Sequence, residues 1–167
     1  MAQATQPLCG TLTLEESTFL LALCRSGRLY EIEDWIKAGK SLAVAAGIRK
    51  TPLEIAIETG FHSLIVLLAR NEARREVKNK ALADAVERRK LDMIELLVDH
   101  GADVSSVAFV DVLRTWDPKI IRYFLDRGAD VVVDRPFAVV FGERVRSSLR
   151  VFKECQGSHP EIAGVVV

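Results

Sequence analysis

At 167 residues the chain is long enough for one domain with a sizeable core, and 49% apolar against 28% charged residues is an ordinary globular balance. Its 23 basic and 23 acidic residues cancel, which argues against a general nucleic-acid or membrane-surface protein while leaving room for a local patch. No apolar run approaches the roughly 18 residues of a membrane span, and Cys9, Cys24 and Cys155 have neither a disulfide-framework nor a zinc spacing.

The start, MAQATQPLCG, lacks the basic and apolar regions of a signal peptide, so a cytoplasmic, reduced setting is expected. Residues 1–12 are expected to form a flexible tail. TLEE, Thr13 to Glu16, is a capping box and predicts a first helix over Leu14 to Ser26. The stretch TPLEIAIETGFHSLIVLLAR, Thr51 to Arg70, reads as two short helices hinged at Gly60, the first too short to stand alone in water. Four more hinges of the same kind can be placed, giving the series Gly27, Gly60, Arg89, Trp116 and Arg144, spaced by 33, 29, 27 and 28 residues. A period in this range predicts stacked helix pairs.

Columns taken relative to these hinges agree. Seven before stand Leu20, Leu53, Leu82, Phe109 and Phe137; four before, Leu23, Ala56, Ala85, Val112 and Val140; three before, Cys24, Ile57, Val86, Leu113 and Phe141. Five after come Ile32, Ile65, Ile94, Ile121 and Leu149; eight after, Trp35, Leu68, Leu97, Phe124 and Phe152. Every position is apolar, and the spacing of three and four puts one stripe on each helix. Neither stripe can be hidden within its own pair, so neighbours must cover both. Only two hinges are Gly, and the left-handed backbone usual at that position costs a residue with a Cβ, here Arg89, Trp116 and Arg144, about 1 kcal/mol. In the fourth unit Asp117 can cap the second helix and Pro118 suits its first turn.

TPLEIAIETG, LDMIELLVDHGADV (Leu91 to Val104) and IIRYFLDRGADV (Ile120 to Val131) resemble the ankyrin-repeat family, and GRLYEIEDWIKAG resembles a variant first repeat. The resemblance implies an all-α, ankyrin-like solenoid of stacked antiparallel helix pairs. Its repeats would fall at about 13–47, 48–79, 80–106, 107–134 and 135–155, with a C-terminal tail over 156–167. Only the second repeat keeps Thr-Pro-Leu, and Glu54 replaces the family's usual His. The links after the first, KSLAVAAGIRK, are several residues shorter, so β-hairpin fingers are shortened or missing and at most one is expected, carrying Ile48 and Lys50. Ser147, Ser148 and Lys153 suit the fifth repeat to a solvent-facing cap, with Leu149 and Phe152 packing on the fourth. The apolar tail Ile162 to Val167 is left between fold-back, disorder and a partner site.

No phosphate loop, H-E-x-x-H, C-x-x-C or G-x-S-x-G occurs, so no catalytic residue, metal ligand or cofactor is expected. His62 is expected half-buried, His100 to serve the carbonyls at a helix end, and Cys24 to be inert core. The family's concave groove is lined by the ends of first helices. Carried over, that face comprises Arg25, Ser26, Glu58, Thr59, Asp84, Glu87, Arg88, Asp111, Arg114 and Thr115. Asp84 with Arg88 and Asp111 with Arg114 read either as solvated ion pairs or as a stripe that reads a partner's charges. From Arg70 to Lys90 eight basic and four acidic residues leave +4, which suits an exposed edge or an acidic or phosphate-bearing partner. Nucleic acid is disfavoured for want of interleaved aromatic residues. The resemblance implies a non-enzymatic protein-interaction module with a protein partner, no membrane and a monomeric state, or else an auxiliary module of a larger protein.

Overall fold

The computed structural model describes residues 11–130, 136–143, 149, 150 and 152–154. The expected hinge Arg144, the side chain of Phe141, Ser147, Ser148, Cys9, Cys155 and both tails beyond residues 10 and 156 lie outside them. Among the described residues all regular structure is helical. The chain divides between Lys78 and Asn79 into two compact units.

The first unit holds α1 (Leu14–Arg25), α2 (Leu29–Lys37), α3 (Pro52–Thr59) and α4 (His62–Asn71). α1 opens on the expected capping box: Glu16 N donates to Thr13 Oγ1 at 3.2 Å and Thr13 N to Glu16 Oε2 at 3.1 Å. The same device opens α3, where Thr51 N donates to Glu54 Oε2 at 2.7 Å and Pro52 fills the first turn. Helices of 8 to 12 residues are too short to persist alone, so their caps and their neighbours together hold them. Each helix of a pair packs on its partner, and the first helices α1 and α3 pack on each other, as do the second helices α2 and α4.

The second unit contains most of α5 (Arg75–Glu87), then α6 (Leu91–Asp99), a 3-10 helix over Val104–Ser106, α7 (Phe109–Leu113), α8 (Pro118–Asp126) and α9 (Pro136–Glu143). α7 packs on α8 and α9, and Phe109 meets Phe137 edge-on at 6.0 Å between ring centroids. Asp117 caps α8 by accepting from Lys119 N at 2.9 Å, with Pro118 in the first turn, as expected.

The column pattern survives in detail. All of the column residues of the first four pairs are buried, as are Phe137 and Val140 of the fifth. Leu149 departs from it: it is 46% exposed and does not join the core, while Phe152 contacts Phe137 at 6.3 Å. Four of the five hinges are described, and each is left-handed: Gly27 at φ 67°, Gly60 at 77°, Arg89 at 57° and Trp116 at 55°. Gly27 has a second reason to lack a side chain, because a Cβ there would lie 2.8 Å from the Phe61 ring.

At the first unit's edges one expectation needs correction, and the expectation of at most one finger resolves to none in this link. The N-terminal tail does not reach residue 12: Leu12 is buried and its N donates to Ala43 O at 2.9 Å. The link after α2 forms no hairpin finger. Trp35 Nε1 donates to Ser41 O at 3.0 Å, Ala45 N donates to Ser17 Oγ at 2.9 Å, and Arg74 Nη2 reaches Leu42 O at 3.4 Å. Ile48 is half-buried with its N on Ala45 O at 3.2 Å. The link is thus folded onto the pair because its backbone groups find partners there, including the hydroxyl of the fully buried Ser17.

Two substitution pairs test this core and its turns. Ile94→Ala should lower the urea midpoint by the equivalent of about 2–5 kcal/mol, because Ile94 is fully buried, whereas the exposed Glu95→Ala should leave it nearly unchanged. Equal midpoints would contradict the helix register. Gly60→Ala should cost about 1–2 kcal/mol, while Arg89→Gly should be neutral to stabilising by up to about 1 kcal/mol, since it releases the same strain. Thermal or urea melts in which both changes destabilise alike would contradict the left-handed turns.

Candidate partner-binding faces

The residues singled out from the sequence sit at the ends of first helices, opposite the buried stripes. In the first unit Arg25 and Ser26 end α1 and Glu58 and Thr59 end α3, all exposed. Ser26 Oγ donates to Ala22 O at 2.8 Å and Thr59 Oγ1 to Ile55 O at 3.1 Å, so both hydroxyls spend their hydrogen on their own helix and keep lone pairs for an incoming donor. Lys50 Nζ lies 2.7 Å from Glu58 Oε2. Lys50 therefore belongs to this face rather than to a projecting finger, and the structure joins two groups that the sequence kept apart.

In the second unit Arg88 Nε meets Asp84 Oδ2 at 3.0 Å, and Arg114 Nη1 meets Asp111 Oδ1 at 3.1 Å. Both pairs lie within one helix or its cap and are partly exposed to solvent, so each contributes a few tenths of a kcal/mol to stability. Glu87 is exposed beside the first of them. Thr115 is not part of the face: it is 4% exposed, donates to Val112 O at 2.7 Å and accepts from Asp117 N at 3.3 Å. The left-handed Trp116 next to it turns the chain there, and the hydroxyl is drawn under that turn.

Neither face carries much net charge. Arg25 and Lys50 against Glu58 give +1; Arg88 and Arg114 against Asp84, Glu87 and Asp111 give −1. The basic segment from Arg70 to Lys90 is also weaker than its composition. Arg74 holds the Glu72 carboxylate through Nε at 2.8 Å and Nη2 at 2.7 Å, and Glu72 is itself only 6% exposed. The pair secures the link at Leu42, with the carboxylate covered and the guanidinium still partly exposed. That a glutamate two residues before an arginine would be buried had no signal in the sequence.

Three groups of the described residues that could carry chemistry can be placed. Burial pushes the Cys24 thiol up to about 12 from its ordinary 9.0, which keeps it protonated and unreactive. His100 Nδ1 lies 2.8 Å from Leu96 O, the expected helix-end role. His62, expected half-buried, is exposed at the start of α4. Among the described residues no group of three or more His, Cys, Asp or Glu could hold a metal ion, and no helix is long and apolar enough to cross a membrane.

No family model matches the chain, and no curated protein matches it closely enough to count as a relative. Among solved structures it is similar to the ankyrin repeat domain of Bcl-3, described as a unique member of the IkappaB protein family. That similarity has 16% identity and a TM-score of 0.46, over 81% of this chain and 85% of that one.

Cys24 supplies a test of the core at the base of the first face. Its folded pKa lies above the unfolded value, so its contribution to stability is complete below about pH 9 and is lost as pH rises toward 12. In a Cys9→Ser, Cys155→Ser background, iodoacetamide at pH 8 should label Cys24 only as fast as the protein unfolds. Labelling at the rate of a free thiol would contradict its burial.

Proposed function

We propose that this chain is a non-enzymatic protein-binding module whose contacts are made by the two first-helix faces. In the first unit these are Arg25, Ser26, Glu58 and Thr59 with Lys50. In the second they are Asp84, Glu87, Arg88, Asp111 and Arg114. The observation that carries the reading is the division of each first helix. Its stripe residues are enclosed, while its other side presents mostly charged side chains that reach solvent. A face carried on enclosed helices is ordered before a partner arrives, so binding needs little backbone rearrangement.

The near-neutral faces favour a partner that exchanges ion pairs with them over one attracted by bulk charge. Such exchange is specific because each displaced Asp84, Arg88, Asp111 or Arg114 must find a new counter-charge.

The test is a pull-down with cross-linking from native lysate, followed by the same experiment with charge-reversed variants. Arg88→Glu and Arg114→Glu should weaken capture of the cross-linked partner at least about tenfold with an unchanged melt. Glu95→Lys and Arg122→Glu, on second helices, should leave capture intact. The opposite pattern would place the interface on the second helices and overturn the reading.

A further inference from the structure

First helices in the two units are secured differently. α3 has eight residues, a capping box, proline in its first turn and a glycine at its left-handed end. α7 does the same job with five residues. Its N-cap, Ala108, is exposed and offers no side-chain bond, and its left-handed end is Trp116 at φ 55°. The turn is tight as well: Asp111 N, Thr115 N and Trp116 N all bond three residues back, to Ala108 O at 2.9 Å, Val112 O at 3.2 Å and Leu113 O at 3.0 Å. Such 3-10 bonds are poorer than helical ones. Three of its residues are buried, Phe109, Val112 and Leu113, against six in α3. α8, directly after it, is capped by Asp117, starts on Pro118 and buries five residues.

We infer that α7 is a conformational switch within the second unit. It opens locally, releasing α9, which packs on it through Phe137, while α8 stays folded. Asp111 and Arg114 ride on α7, so their part of the proposed face exists only in the closed form. A partner that grips them therefore draws the equilibrium toward closure, and the population of the open form sets how much affinity is lost. The consequence for binding rests on the function proposed above. The opening itself does not, and it can be measured in the free protein.

Native-state hydrogen exchange on the full chain tests it. The Arg114, Thr115 and Trp116 amides should exchange at least about tenfold faster than the hydrogen-bonded Ile121 amide of α8, with little dependence on low denaturant, the sign of a local opening. Ala108→Ser supplies the missing cap on an exposed position and should slow those three amides by roughly three- to tenfold, leaving α8 unchanged. Equal rates and equal denaturant dependence in α7 and α8 would overturn the inference, as would an Ala108→Ser variant that slows both helices alike. Neither result depends on any partner, so failure here leaves the proposed binding faces to their own test.

Discussion

One left-handed residue between paired helices sets the geometry on which the rest depends. At residues 27, 60, 89 and 116 it reverses the chain within a single turn. That reversal brings the positions seven, four and three before it and five and eight after it into one core. It also decides what is left outside. With the inner stripe fixed, positions one and two before the turn must face away from it, and there Arg25, Glu58, Arg88 and Arg114 stand exposed. Thr115 shows how narrow the rule is. It holds the same position as Ser26, Thr59 and Arg88 but is buried, because the fourth turn is reached after a helix of only five residues.

The arrangement separates stability from recognition by side of helix. Burying a Leu, Ile or Phe contributes about 1.5–3 kcal/mol, whereas each exposed ion pair on the outer side contributes a few tenths. A change of charge on Arg88 or Arg114 should therefore leave folding almost untouched, whereas a change in Ile94 or Phe124 acts on it directly. The same separation explains the absence of assembled chemistry among the described side chains. The buried Cys24 thiol is held protonated, and the buried Glu72 carboxylate is taken up by Arg74.

The helix pairs were legible in the sequence because the inner stripe repeats, and repetition turns weak single signals into columns. The left-handed turns at Arg89 and Trp116 were legible for the same reason: neither residue type suggests such a backbone, but register with Gly27 and Gly60 does. The caps were half legible. TLEE was read as a capping box, while the identical spacing in TPLE was read as a family motif with an odd glutamate, although Glu54 closes the box. What did not show was anything that occurs once. The buried Ser17 hydroxyl, the Glu72–Arg74 clamp and the folded-down link are contacts between segments without a second copy, so no column announced them. Leu149 failed in the opposite sense: the column it belongs to is buried in the first four pairs, yet Leu149 is 46% exposed.

The link between α2 and α3 has a consequence for engineering. By length and lack of regular structure, residues 40–50 look like the natural place to graft a tag, an epitope or a second domain. Their backbone groups are instead committed to Ser17, Trp35, Leu12 and Arg74, so an insertion there competes with the body of the first unit for those bonds. Among the described residues the longest irregular stretch is thus a poor place for a graft.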